Sequence, residues 1–228
     1  MNNIAVNLQA VQQQIYQAEQ QSKRERCSVK LLAVSKTRSA NELETVIKQG
    51  QIDFGENYLQ EALDKQIQLN NSQVIWHFIG SIQSNKTKAI AENFSWVHSV
   101  DRLKIASRLN EQRPPHLSPL NILVQINVSL EHSKSGILQH QLMSLATEIE
   151  QLPHLRLRGI MGLPAPTTKF SEQQKQCETL ASLYNQLKQS QKTIDTLSMG
   201  TSNDYQAAIA AGSTMVRIGT AIFGPRTQ

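Results

Sequence analysis

Residues 29–36 read VKLLAVSK. Leu31, Leu32, Ala33 and Val34 form an uninterrupted apolar run, with Val29 just before it. A short run without polar alternation marks a strand covered on both faces, as in parallel sheets. The run ends in Ser35 and Lys36. An ammonium at the end of a buried strand sits at the rim of a core, where partial desolvation favours the neutral, nucleophilic amine. The same lysine would equally mark the point where a strand meets water.

The pattern recurs along the chain. Short apolar strands are expected at 52–55, 74–80, 94–100, 121–128, 155–161, 196–200 and 214–218. Helical spacing fills the intervals. Ser39 or Asn41 can cap a helix through Leu43, Val46 and Ile47 that Gly50 ends. Leu59, Ala62, Leu63 and Ile67 mark the next, and a short one is expected at 88–92. Asp101 is expected to cap a helix through Leu103, Ile105 and Leu109, stopped by Pro114 and Pro115. A loop, SLEHSKSG at 129–136, leads to a helix through Leu142, Leu145, Ala146 and Ile149, and further helices are expected at 172–189 and 203–211. Strands alternating with helices at this spacing predict the α/β class and a parallel sheet. Eight such units in 228 residues predict a single-domain (β/α)8 TIM barrel over 1–228. An open doubly wound sheet is the competing architecture. An extra N-terminal helix, striped by Ile4, Leu8, Val11, Ile15 and Ala18, can take the place of the helix missing after the eighth strand.

Composition narrows the partners. Lys plus Arg is 23 and Asp plus Glu is 18, a net charge of +5, which suits an anionic ligand. The basic residues are scattered, the densest group being Lys23, Arg24 and Arg26, and aromatics are only 5%, so no stacking basic face points to nucleic acid. Cys27 and Cys177 form no CxxC pair, which argues against a metal site or a disulfide framework. The polar start MNNIAVNLQAVQQQ is no signal peptide, and no apolar run approaches membrane-spanning length. A cytoplasmic protein without membrane association is expected.

In a barrel, chemistry sits where strands meet their following loops. Those positions hold Lys36 after strand one, Asn57 after strand two, Met199 and Gly200 after strand seven, and Arg217 with Gly219 at the end of strand eight. Barrel phosphate sites use the loops after strands seven and eight, here Gly200, Thr201, Ser202 and Asn203, and Gly219 with Thr220. Thr201 or Ser202 would stand at a helix start, which favours an anion. Taken singly, Ser202 is equally an N-cap and Gly219 a turn. A lysine amine, a phosphate cup and an arginine on a neighbouring strand together describe a pocket for pyridoxal 5′-phosphate. Arginine stays protonated, so Arg217 would donate to the ring nitrogen and keep it unprotonated; an aspartate would favour the pyridinium, the stronger electron sink. His77, inside strand three, is either a satisfied core histidine or a contact of the cofactor or Asn57. Tyr58 and Tyr205 read as packing or surface groups.

The segments LLAVSKTR, DFGENYLQEALDK, WHFIGSIQSNK, LRGIMGL and LSMGTSNDYQAAIAAGSTMVRIGTAIFG resemble the pyridoxal phosphate homeostasis protein family over about 31–224, nearly the whole chain. The resemblance implies a barrel like the N-terminal domain of alanine racemase. It implies that Lys36 holds the cofactor as an aldimine, with Asn57 beside it and Arg217 at the ring nitrogen. Ser202, Gly219 and Thr220 would hold the phosphate, and Ser198, Met199 and Gly200 would line the same wall. The implied role is vitamin B6 homeostasis: storing, buffering or delivering pyridoxal phosphate, with dependent apoenzymes as recipients and no established turnover. Ile82 stands where the family commonly has leucine, and Thr201 where it has methionine; neither replaces an expected bonding group. The enzymatic rival is an amino-acid racemase of low activity. A racemase needs a base on each face of the cofactor, and in alanine racemases one is a tyrosine from a second domain. The chain is expected to stop about four residues past its barrel without such a domain, and therefore to act as a binding protein rather than an enzyme; a monomer is expected. A barrel for a different phosphorylated metabolite is the third reading.

Overall fold

The computed structural model describes residues 3–128 and 135–225; most of the expected loop at 129–136 lies outside the described residues. Eight parallel strands close into a barrel in chain order. They are β1 Lys30–Val34, β2 Asp53–Glu56, β3 Ile75–Phe78, β4 Trp96–Val100, β5 Leu120–Ile126, β6 Leu155–Gly162, β7 Thr196–Ser198 and β8 Met215–Ile218. The last strand pairs with the first, Leu32 opposite Arg217 and Ala33 opposite Ile218. That closure rules out the open sheet.

The helices are α1 Ile4–Gln21, α2 Ala40–Ile47, α3 Leu59–Leu69, α4 Thr87–Asn93, α5 Leu103–Gln112, α6 Leu142–Glu150, α7 Phe170–Ser190, α8 Tyr205–Ala210 and α9 Thr220–Phe223. α9 is a single turn and cannot cover the β8 face alone. The stripe of α1 does so: Leu8, Val11, Ile15 and Ala18 are buried, and α1 lies on α2, α8 and α9. Asn7 Nδ2 donates to Ile222 O at 3.0 Å, and the Tyr205 hydroxyl donates to Gln14 Oε1 at 2.9 Å.

Three sequence expectations need correction. Ile67 is 77% exposed, while Lys65 on the same helix is buried, because the inner face of α3 meets the carboxylate of Glu56. Asp101 does not cap α5: Arg102 holds that position without a side-chain cap, and Asp101 instead accepts from Arg102 at 2.7 Å. α8 begins at Tyr205 rather than at 203, because Thr201 N–H and its hydroxyl both donate to Asp204 Oδ1, at 2.5 and 2.7 Å, closing a turn ahead of the helix. Neither Thr201 nor Ser202 is therefore its cap. Ser39, by contrast, forms a capping box with Glu42 at the start of α2.

Cys27 is exposed and Cys177 is buried in α7, where burial pushes its thiol up to about 12. The thiolate is the reactive form. Iodoacetamide at neutral pH should therefore alkylate Cys27 in the native protein and spare Cys177. Equal labelling of both, read by peptide mass, would contradict the packing of α7.

Candidate functional site

The ends of β1, β7 and β8 meet at one side of the barrel mouth. Lys36 lies two residues past β1 and is half-buried. The backbone around it is clamped by charge. Thr37 has φ +63°, a conformation uncommon for a β-branched residue, and its N–H donates to Glu61 Oε1 at 2.5 Å. Ser35 Oγ donates to Glu56 Oε1 at 2.6 Å, and the Ser35 carbonyl accepts from Lys65 Nζ at 2.7 Å. Lys65 also bridges Glu56 at 2.8 Å and Glu61 at 2.5 Å. Burial pushes the Glu56 carboxyl above its ordinary range, with Lys65 and the Ser35 hydroxyl pulling part of the way back. Glu56, Lys65 and Glu61 were not found from sequence, because a lysine amid glutamines on a helix reads as a solvated face.

The turn from β8 into α9 presses on the end of β1: a Cβ added at Gly219 would stand 3.0 Å from Val34 O. Thr220 follows, exposed. Ser202 Oγ accepts from Ala221 N–H at 3.4 Å, tying the β7–α8 turn to α9. Gly200 turns the chain after β7 with φ +99°, and a Cβ there would meet Ala208 Cβ at 2.8 Å. Lys36, Ser202, Gly219 and Thr220 thus follow three neighbouring strands, β1, β7 and β8, at the same end of the barrel.

Asn57 follows β2, the strand that pairs with β1 on the side away from β8. The backbone at Gly80 approaches it so closely that a Cβ would sit 2.1 Å from Asn57 O. Asn57 lines a cavity of about 970 Å³ bounded by the loops after β2, β3, β5 and β6, with Gln125, Asn127, Thr167 and Gln173 on its walls and Thr201 at its border. Among the described residues, Asn57 is the expected site residue that lines it.

Arg217 is 6% exposed. Its Nη1 donates to Ser198 O at 2.9 Å and to Ser198 Oγ at 2.8 Å, and its Nη2 donates to Gly162 O at 3.0 Å. Burial lowers its pKa to about 10, opposed by Asp204, so the guanidinium keeps its charge at neutral pH. Ser198 and Met199 are fully buried. The Ser198 hydroxyl is engaged by Arg217, and Met199 packs in the core with its carbonyl accepting from Ser213 Oγ at 2.8 Å. They support the wall from behind.

His77 is a satisfied core histidine. Its Nδ1 lies 2.9 Å from His98 Nε2 and its Nε2 3.0 Å from Asp53 Oδ1. His98 and Asp53 were not singled out from sequence. The available signal was a polar residue in the middle or at the start of an otherwise apolar strand.

A primary amine, a buried guanidinium, two hydroxyls and two side-chain-free turns suit a phosphorylated heteroaromatic aldehyde. The bare Gly219 and Gly200 turns, which a Cβ would crowd, leave backbone open to an anion.

The alanine racemase N-terminal domain model matches residues 6–227. A pyridoxal phosphate homeostasis protein of Pasteurella multocida is 53% identical over 228 residues, 98% of this chain and 97% of that protein. One of Escherichia coli is 51% identical over 229 residues, 99% of this chain and 98% of that protein. The solved structure of PipY from Synechococcus elongatus with PLP bound has a TM-score of 0.83 and 30% identity, covering 97% of this chain and 100% of that one.

Proposed function

The chain belongs to the family of pyridoxal phosphate homeostasis proteins, built on the alanine racemase N-terminal domain, and on that premise we propose that it holds pyridoxal 5′-phosphate on Lys36 and stores, buffers or delivers it. The observation behind this reading is that the Gly219 turn presses on Val34, two residues before Lys36, while Ser202 is tied to Ala221 just past Thr220. Lys36 is the residue that would hold the cofactor, through its aldehyde carbon and with loss of one water. Ser202, Gly219 and Thr220 hold the phosphate, Asn57 stands beside the ring, and Ser198, Met199 and Gly200 form the wall behind it. Arg217 faces the ring nitrogen.

Arg217 argues for a carrier over a catalyst. A charged guanidinium donates to the ring nitrogen without giving up its proton, so the ring remains a weak electron sink. The racemase-type domain gives the rival reading of slow racemase activity. Rapid α-proton exchange of single L-amino acids in deuterated water would favour that rival. The carrier is a monomer in the cytoplasm that hands its cofactor to dependent apoenzymes. Among the described residues, no helix is long and apolar enough to cross a membrane.

The purified protein should be yellow, and borohydride reduction followed by peptide mapping should place the adduct on Lys36. Lys36→Ala should be colourless and carry no reduced adduct. A wild type that takes up no pyridoxal phosphate, or a Lys36→Ala protein that keeps the adduct, would overturn the proposal.

A further inference from the structure

A file of polar side chains crosses the barrel interior. Lys30 Nζ lies 3.3 Å from Asp53 Oδ1. From Asp53 the file passes through His77 and His98, and His98 Nδ1 lies 3.2 Å from Ser198 Oγ. Arg217 closes it on Ser198. β4 and β7 are not neighbours in the sheet, so the step from His98 to Ser198 runs through the middle of the barrel. At the far end Lys30 is half-exposed, and with Asp53 it borders a second cavity of about 580 Å³.

The direction of every hydrogen bond in the file is forced. Burial lowers the pKa of both histidines and favours their neutral forms, while His77 and Lys30 hold Asp53 below its ordinary range against the cost of burial. A carboxylate only accepts, so His77 carries its proton on Nε2 and donates to Asp53. Its Nδ1 must then accept from His98 Nε2–H. That leaves His98 Nδ1 to accept the Ser198 hydroxyl proton, and the Ser198 oxygen is left to accept from Arg217. The opposite order would set the bare Nε2 of His77 against the carboxylate and leave the Ser198 proton without an acceptor.

We infer that Asp53, His77 and His98 are positioning residues for Arg217: they fix Ser198 as its acceptor and hold the guanidinium, charged and oriented, at the ring-nitrogen position. This rests on the cofactor reading above. Each donor in the file is polarised toward Asp53, so the carboxylate strengthens a chain of aligned dipoles that favours positive charge on Arg217. The titratable and charged groups that face this file are Lys30, Asp53, His77, His98, Arg217 and, beside Arg217, Asp204.

Nitrogen-15 NMR of the cofactor-free protein at neutral pH should show His77 and His98 as neutral Nε2–H tautomers. Asp53→Asn removes the charge at nearly constant shape. In it the His98 tautomer should become mixed or reversed. After loading with pyridoxal phosphate, the pH at which its visible absorption titrates should move by about one unit, a tenfold change in proton affinity. Ser198→Ala cuts the file at its other end and serves if Asp53→Asn does not fold: the histidine tautomers should persist while the absorption profile moves. An Nδ1–H or charged His98 in the wild type would overturn the inference, as would Asp53→Asn or Ser198→Ala with a wild-type absorption profile. A wild type that takes up no cofactor would sink the preceding proposal, while the tautomers would still decide this one.

Discussion

Lys65→Met should cost the fold about 3–5 kcal/mol and lower its melting temperature by on the order of 10 °C. Lys65 is 4% exposed and Glu56 fully buried. One Glu56 oxygen receives the ammonium and the Ser35 hydroxyl; the other, Oε2, is buried without a hydrogen-bond partner. Taking away the ammonium strands a charge in the core. It also frees Glu61 and the Ser35 carbonyl, the groups that pin the backbone on either side of Lys36. Cofactor affinity should therefore fall together with stability. The pH dependence has a definite sign. Glu56 holds its proton more tightly folded than unfolded, because burial raises its pKa. It contributes stability below its unfolded pKa and loses that contribution as pH rises through the folded one. Without Lys65 the folded pKa climbs further. The stability gap between wild type and Lys65→Met should be widest near neutral pH and narrow toward the ordinary carboxylate range of about 4.3. Glu56→Gln on top of Lys65→Met should recover most of the loss. Urea melts of the three proteins decide the matter; a Lys65→Met protein within about 0.5 kcal/mol of wild type, the usual range for a surface change, would rule out a structural ion cluster.

The barrel was legible because strands buried on both faces leave apolar runs, and eight of them leave little choice of closure. Their ends were less so. The run at 74–80 pairs as strand only over Ile75–Phe78, and the run at 196–200 only over Thr196–Ser198, because the left-handed Gly200 breaks the regular ladder although Met199 N–H still donates to Met215 O and Gly200 O accepts from Arg217 N–H. Lys36, Ser202, Arg217 and Gly219 could be picked out because parallel strands all point their ends at one face. The interior file could not. Asp53, His77 and His98 come from three strands, and only the curvature of a closed barrel places them in line. Lys65 and Glu56 escaped for a different reason: sequence shows charge, but not whether a charge has a partner that permits burial.

Gly159→Ala should cost more than any other single methyl in the chain and leave little folded protein. Gly159 has φ +149°, and a Cβ there would lie 1.8 Å from Thr196 O and 2.8 Å from Thr196 C. Those are backbone atoms of the adjacent strand and cannot swing aside. The only relief is to part β6 from β7 along the seam that pairs Gly159 with Thr196, Ile160 with Leu197 and Met161 with Ser198. Parting that seam reaches the site, because Arg217 is held between Gly162 O on β6 and Ser198 O on β7. Ordinary overpacking costs about 1–3 kcal/mol. Here a hydrogen-bonded edge, a buried guanidinium and barrel closure fail together, against a total stability of only about 5–15 kcal/mol. Gly212→Ala separates collision from backbone strain. Its φ is +104°, yet nothing lies within 4 Å of the added Cβ, so it should lose only the roughly 1–2 kcal/mol of a left-handed residue. Soluble yield and thermal melts of the two variants should diverge widely. Equal melting temperatures would mean that the β6–β7 seam can open without disturbing the barrel, and Arg217 would then need some other support than the two strands that flank it.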